Sequence, residues 1–318
     1  MTTSAASSEP PRLAIIGAGS MGSGLAALFA LRGFPVVLVD PVEGALARAD
    51  AAIDRQLAAL ATPEQARAAR ARLVPATAQA AAAQAELVIE AVPEKLELKR
   101  RIFAELDALC PQRTVLATNT SGLSVNAIAV AVSPERRKRF VGAHFFSPAD
   151  VIPLVEVVRG DSTDEASSGF VMDVLRQAGK RPVLVRRDIP GFIANRIQHA
   201  LAREAISLLE KGVASAADID EVVRWSLGIR LALTGPLEQR DLNGIDVHHA
   251  IASYLYADLE NRTTPAPLMA GMVERGEIGA KAGQGFYPWP AEQRERHLAD
   301  KSQALTELAA WLQQREAQ

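Results

Sequence analysis

Leu13-Ala14-Ile15-Ile16-Gly17-Ala18-Gly19-Ser20-Met21-Gly22 is the stretch that decides the fold. Four apolar residues run into a glycine-rich turn, and Met21 to Leu31 then carries helical spacing that Gly33 closes. Phe34 to Val39 is a second apolar run, rich in valine, and it ends at Asp40. Strand, helix and strand within about 30 residues predict a βαβ unit. Each glycine has a physical job there. Gly17 permits the tight turn, Gly19 lets the backbone approach a pyrophosphate, and Gly22 lets the helix pack against the strand. The helix start at Ser20 and Met21 offers unpaired N–H groups and partial positive charge to phosphate. Asp40, 18 residues beyond Gly22, is placed to accept hydrogen bonds from an adenosine ribose and to repel a 2′-phosphate. Pro41 and Val42 bring no arginine to receive that phosphate, so the expected dinucleotide is NAD rather than NADP.

Working outward, apolar runs and helical stretches alternate. Glu43 to Arg72 reads as helix interrupted near Thr62-Pro63, Ala78 to Gln84 as a short helix, and Leu96 to Leu109 as a helix. Strands are expected at Leu87 to Val92, Thr114 to Ala117, Phe140 to Ala143, Leu154 to Val158 and Pro182 to Val185, with a helix over Thr163 to Ala178. This order predicts an α/β domain with a Rossmann-type, mostly parallel, doubly wound sheet. The texture changes at Arg187-Asp188-Ile189-Pro190-Gly191. A long helix over Phe192 to Lys211, a capping box from Ser215 to Asp218, and leucines 305, 308 and 312 at helical spacing predict an all-α second domain. The expected division is residues 1–11 as a flexible tail, 12–188 as the dinucleotide domain and 189–318 as a helical substrate and dimerisation domain. Trp225, Tyr254, Tyr256 and Trp311 are core or interface residues, with core preferred.

Composition narrows the partners. The 318 residues are 48% hydrophobic, and 35 basic side chains nearly cancel 37 acidic ones. That balance points away from nucleic acid and from a basic membrane surface, so a small anionic ligand must be met by a few placed groups. A single cysteine, Cys110, excludes an intramolecular disulfide and a cysteine-rich metal cluster. His199, His248, His249 and His297 show no metal-ligand spacing, and no metal is expected. No apolar run approaches the ~20 residues of a membrane span, so the expected location is the cytoplasm.

His144 follows a strand candidate in Gly142-Ala143-His144-Phe145-Phe146-Ser147-Pro148, and Glu156 lies 12 residues on, inside Leu154-Val155-Glu156-Val157-Val158. A carboxylate in an apolar strand is costly unless paired. His144 alone reads as a satisfied structural histidine or as a base. A histidine with a carboxylate to orient it is a general-base arrangement.

At these residues the sequence resembles the L-3-hydroxyacyl-CoA dehydrogenases and their relatives, over Arg12 to about Trp289. The motifs are Gly17 to Gly24, Val88-Ile89-Glu90-Ala91-Val92-Pro93-Glu94, Asn119-Thr120-Ser121, His144-Phe145-Phe146, Leu154 to Val158, Pro190-Gly191-Phe192-Ile193-Ala194-Asn195-Arg196, Gly235-Pro236-Leu237-Glu238 and Lys281 to Tyr287. The resemblance implies an NAD-dependent dehydrogenase and a homodimer through the helical domain. It makes His144 the base that takes the hydroxyl proton while hydride leaves for the nicotinamide, with Glu156 as its partner. It makes Ser121 and Asn195 the groups that bond the reacting oxygen, and Glu94 and Lys99 contacts at the nicotinamide end. Read without it, Ser121 is a turn residue, Asn195 a helix-surface amide and Lys99 a solvated helix lysine.

Three departures matter. Ser147 stands where the family usually has asparagine, a cofactor-side contact. Between Pro41 and Glu94 there is no lysine to grip the nucleotide of CoA; Arg67 and Arg70 share a helix face that is otherwise simply solvated. The stretch Leu227 to Pro236, with its lone Arg230, looks like the relatives acting on free small acids: gulonate, carnitine and pyridine-carboxylate dehydrogenases. Arg230 is therefore a candidate anchor for a substrate carboxylate, the alternative being an arginine paired with an acid of its own fold. The expected substrate is a small free 3-hydroxy carboxylate, or alternatively a 3-hydroxyacyl-CoA of fatty-acid metabolism. A non-catalytic NAD-binding structural protein is the remote alternative.

Overall fold

The computed structural model describes residues 9–316, so the tail expected over residues 1–11 lies largely outside the described residues. The chain forms two compact units that part after Arg196.

The first unit is built on one sheet. Its strands are β1 (Leu13–Ile16), β2 (Val36–Val39), β3 (Leu73–Ala76), β4 (Leu87–Glu90), β5 (Val115–Thr118), β6 (Phe140–Phe145), β7 (Leu154–Arg159) and β8 (Arg181–Val185). Their spatial order is β3-β2-β1-β4-β5-β6-β7-β8, parallel throughout except for the antiparallel pair β6–β7. The helices are α1 (Ser20–Leu31), α2 (Ala45–Leu60), α3 (Pro63–Arg70), α4 (Leu96–Leu109), α5 (Val125–Ala129), α6 (Pro134–Arg137) and α7 (Glu165–Gln177).

Alternation along β1 shows why its residues are all apolar. Leu13 and Ile15 pack with Leu25, Phe29 and Ile53 of α1 and α2 on one face. Ala14 and Ile16 pack with Phe103 and Leu106 of α4 on the other. A strand covered on both faces needs a continuous hydrophobic run. The chain reverses direction across the sheet between β1 and β4, and the carboxyl ends of those strands form the crevice where doubly wound sheets take ligands.

Two elements differ from the sequence reading. β3, Leu73-Val74-Pro75-Ala76, is a strand where none was expected; it is an edge strand, and an edge tolerates its proline. Gln79–Gln84 is helical as read, but as a 3-10 turn. Thr62 caps α3 with a reciprocal Gln65 bond at the point where the long helix was read as broken.

The second unit is helical: α8 (Ala194–Glu210, beginning in the first unit), α9 (Ala216–Val222), α10 (Ile229–Leu231), α11 (Pro236–Asn243), α12 (Ile245–Leu255), α13 (Pro267–Glu274) and α14 (Ala291–Glu316). Ser215 accepts a bond from the Asp218 N–H and caps α9 as expected. A π-helical stretch, Val223–Gly228, leads into α10. The preference for a core role at four aromatics is corrected: Trp225, Tyr254, Tyr256 and Trp311 are 64%, 69%, 72% and 47% exposed. Their apolar rings are left uncovered by their own chain, which sequence periodicity cannot reveal. No helix among the described residues is long and apolar enough to cross a membrane.

Candidate active site

The glycine turn separates into residues the protein needs and one it does not. Gly17 has φ +105, and a Cβ there would lie 2.9 Å from the Ala91 carbonyl oxygen. A Cβ on Gly22 would lie 1.8 Å from the Gly17 carbonyl oxygen, inside any contact distance. Both positions are glycine because the fold requires it. A Cβ on Gly19 would meet nothing within 4 Å. Its bareness has no use in packing and fits a phosphate approaching the start of α1, a 12-residue helix with free N–H groups at that end. Asp40 is held by two backbone bonds, from Ala18 N–H (2.7 Å) to one oxygen and from Val42 N–H (2.9 Å) to the other. Each oxygen keeps a lone pair for a ribose hydroxyl. Ala18, Gly19, Ser20 and Met21 also line a cavity of about 390 Å³, shared with Arg48 and Gln56 of α2 and with Ser147 and Pro148. These residues fit a dinucleotide.

His144 and Glu156 are directly opposite each other on β6 and β7. His144 Nδ1 lies 2.8 Å from Glu156 Oε2, and both side chains are buried. The other carboxylate oxygen accepts from the N–H groups of Ile193 (2.9 Å) and Ala194 (3.0 Å), at the start of α8. Burial opposes ionisation of Glu156, but the His144 bond and the two amides outweigh it and hold the carboxyl below its usual range. An ionised Glu156 can only accept, so Nδ1 carries the proton and Nε2 presents a lone pair. Nε2 has no partner among the described residues. Phe146 (ring centroids 4.4 Å away) and Phe192 (5.8 Å) flank the imidazole. Phe192 has φ +50, a strained conformation for a large residue, which turns the following two N–H groups onto Glu156.

Glu94 organises the neighbouring turn. Its Oε1 accepts from Thr120 Oγ1 (2.6 Å) and from the N–H groups of Ser121 (2.9 Å) and Gly122 (3.0 Å). Burial would raise its pKa, yet the Thr120 bond, the Lys99 charge and these amides bring it below the ordinary carboxylate value. Asn195 Nδ2 donates to the Ser121 carbonyl (2.8 Å), so the two residues expected at the reacting oxygen are brought together. The Ser121 hydroxyl has no partner among the described residues.

Lys99 is not a solvated helix lysine: its side chain is 1% exposed. Its ammonium donates to both oxygens of Glu90 (2.7 and 2.9 Å) and to the Val92 carbonyl (3.4 Å), and lies 3.3 Å from Glu94. Burial raises the Glu90 carboxyl above its usual value against the pull of Lys99. Glu90 went unassigned in sequence, although it ends the apolar strand Leu87-Val88-Ile89-Glu90 in the same way that Glu156 interrupts its own. Asn119 was also missed; its Oδ1 accepts from Phe145 N–H (2.9 Å) and ties β5 to the residue after His144.

Arg230 lies in the second unit, exposed, with Nε donating to the Ser226 carbonyl (3.0 Å). It forms no ion pair among the described residues. Cys110 is buried, and burial pushes its thiol pKa up.

Known proteins match along the chain. The family described as 3-hydroxyacyl-CoA dehydrogenase, NAD binding domain, matches residues 12–189, and the corresponding C-terminal domain matches residues 191–289. A 5-formyl-3-hydroxy-2-methylpyridine 4-carboxylate 5-dehydrogenase from Mesorhizobium japonicum is 34% identical over 315 residues, spanning 96% of this chain and 99% of the relative. A 3-hydroxybutyryl-CoA dehydrogenase from Clostridioides difficile is 36% identical over 284 residues, spanning 87% and 99%. Among solved structures, that of the pyridine-carboxylate dehydrogenase, an NAD+ dependent dismutase, aligns with TM-score 0.88 at 32% identity, over 96% of this chain and 99% of that one.

Proposed function

Since the chain belongs to the 3-hydroxyacyl-CoA dehydrogenase family and is an NAD-dependent oxidoreductase acting on CH–OH groups, we propose that it oxidises a small free 3-hydroxy carboxylate with His144 and Glu156 as the general-base pair. The observation that carries the chemistry is the buried His144–Glu156 contact with its unpartnered Nε2. Nε2 takes the hydroxyl proton, and the imidazolium so formed is stabilised by the ionised Glu156. The amides of Ile193 and Ala194 keep that carboxylate in place while the charge on the ring changes. Bound NAD supplies the two-electron acceptor. Ser121 Oγ and the second N–H of Asn195 Nδ2 steady the reacting oxygen and, in the reverse direction, donate to it. Gly17, Gly19, Gly22, Ser20 and Met21 hold the pyrophosphate, and Asp40 the adenosine ribose. Glu94, gripped by Lys99, serves the nicotinamide end with Ser147.

Arg230 anchors the substrate carboxylate, its terminal nitrogens free to bond both oxygens. It follows a π-helical stretch, a distortion that recurs at functional sites. The relative matched end to end is named for a pyridine carboxylate. The second reading, a 3-hydroxyacyl-CoA, is favoured by the C. difficile relative and by the family name. A panel of free 3-hydroxy acids, a heteroaromatic formyl carboxylate and 3-hydroxyacyl-CoA thioesters, followed by NADH absorbance, separates them. Preference for the thioesters by orders of magnitude in kcat/KM overturns the free-acid reading. NADH formation that survives His144→Ala overturns the base assignment.

The same reading makes the protein a cytoplasmic homodimer joined through helical-unit surfaces that carry the exposed Trp225, Leu237, Tyr254 and Tyr256. Light scattering and cell fractionation test these two points.

A further inference from the structure

Lys180 is a second buried lysine, and it is unlike Lys99. It precedes β8, after the Gly179 turn (φ +77) that ends α7, and it is 6% exposed. Where Lys99 faces a carboxylate, the Lys180 ammonium forms no ion pair among the described residues. It donates to the backbone carbonyls of Ala149 and Ile152 (3.0 Å to the latter). Burial, with Arg32 adding to it against Asp150, lowers its pKa to about 8. A methionine would fill the same space without this cost, so the fold gains something from keeping an ammonium there.

The two carbonyls belong to the segment of residues 146–153 that joins β6 to β7. Within it, the Val151 and Ile152 N–H groups donate to the Pro148 carbonyl (3.2 and 3.0 Å), closing a tight turn. Lys180 holds that turn at two points, the Ala149 and Ile152 carbonyls. The same segment lends Ser147, Pro148, Ala149 and Asp150 to the wall of the cavity that opens on Gly19, Ser20 and Met21. The segment leaves β6 immediately beyond His144 and Phe145, and enters β7 two residues before Glu156. The β6–β7 ladder already fixes His144 against Glu156, so the part left for Lys180 to fix is the cavity wall.

We propose that Lys180 is a positioning residue for the cofactor: by holding the Ala149 and Ile152 carbonyls it sets Ser147 and its neighbours as a wall facing the glycine turn. The inference rests on NAD lying at that turn, and it does not depend on which substrate the enzyme oxidises.

The experiment is calorimetric titration of the full-length protein with NAD, which reads Kd and the fraction of binding-competent sites separately. Lys180→Met is expected to weaken Kd about tenfold with the site fraction unchanged, a split that mere loss of folded protein does not produce. Lys180→Arg, which keeps donors for both carbonyls, is expected to recover most of the affinity. Ser147→Ala should weaken Kd in the wild type and have less effect in the Lys180→Met background, because the wall is already displaced. An unchanged Kd in Lys180→Met, or full additivity of the two substitutions, overturns the proposal. If Lys180→Met does not fold, Lys180→Gln, whose uncharged amide nitrogen stops one bond short of the ammonium position, takes its place under the same criteria. If the free-acid reading fails, these titrations are unaffected; if NAD binds unchanged in Gly19→Ala, the placement of the cofactor fails instead.

Discussion

Glu156→Gln tests the centre of the site, because the substitution keeps shape and removes only charge and one acceptor. The carboxylate meets three donors: His144 Nδ1 at 2.8 Å, Ile193 N at 2.9 Å and Ala194 N at 3.0 Å. A glutamine has one acceptor oxygen and one donor nitrogen, so it cannot satisfy all three. If its oxygen faces His144, its NH₂ abuts two buried amides, and each orphaned group costs roughly 1–3 kcal/mol. If its oxygen faces the amides, its NH₂ points at Nδ1, which must then accept, and the ring proton moves to Nε2. The second arrangement orphans nothing and prevails. It also abolishes the base. General-base catalysis contributes about 10²–10⁴ in rate. The expected fall in kcat is therefore about 3–5 kcal/mol in barrier, at ~1.4 kcal/mol per decade. The fold keeps all three contacts and loses only their charge assistance, so Tm should fall by less than about 5 °C. Steady-state kinetics by NADH absorbance, alongside thermal melts, measures both. A variant within about threefold of wild-type kcat refutes the tautomer argument, and so does a kcat loss matched by an equal loss of folded protein.

Other outcomes follow from the same geometry. Gly19→Ala should melt like the wild type yet lose NAD affinity, whereas Gly22→Ala should lose stability outright; paired melts and NAD titrations check this. Arg230→Ala should raise KM for a free 3-hydroxy acid at least about tenfold with little change in kcat, the signature of lost ground-state binding. Glu156 and Glu94 sit below the carboxylate reference of 4.5. Their contribution to stability is full above that value and is lost as pH falls through their lower native values, so acid melts of Glu156→Gln should be flatter than wild type. Lys180 gives a slope of the same sign in an alkaline window. Between its native value of about 8 and its reference of 10.5 the unfolded chain holds the extra proton, so stability should rise with pH across that window relative to Lys180→Met.

The parts of this fold legible in sequence are those fixed by local rules. The strand–turn–helix from Leu13 to Leu31 is stated by periodicity and three glycines, and the limits of α4 follow from its apolar spacing. Glu156 could be flagged because a carboxylate among valines demands a partner. The partner itself was out of reach of spacing alone, because it depends on β6 and β7 pairing antiparallel in one register. Glu90 carried the same signal at the end of β4, and Lys99 as its answer lies nine residues on, across a turn into α4. β3 was hidden by Pro75, since propensity does not know which strand will lie at an edge. Lys180 reads as an ordinary polar residue after a helix stop; only the tertiary packing of the β6–β7 connection reveals its burial.

Both borders of the sheet are sealed in one way. Along β3 the carbonyls of Arg72, just before it, and Ala76 accept from the Val36 and Asp40 N–H groups, so Pro75, of opposite parity, turns its missing N–H outward. In β8 the Arg181 N–H donates to Pro153 beside β7, and Pro182 likewise faces away from the sheet. Val74 and Val183, next in line, are 55% and 43% exposed. Each border thus carries sticky side chains but lacks a donor at the point where a foreign strand would have to zip on. Two prolines thus guard the open borders of the sheet, and a valine at either position would restore the outward donor that edge-to-edge strand addition needs.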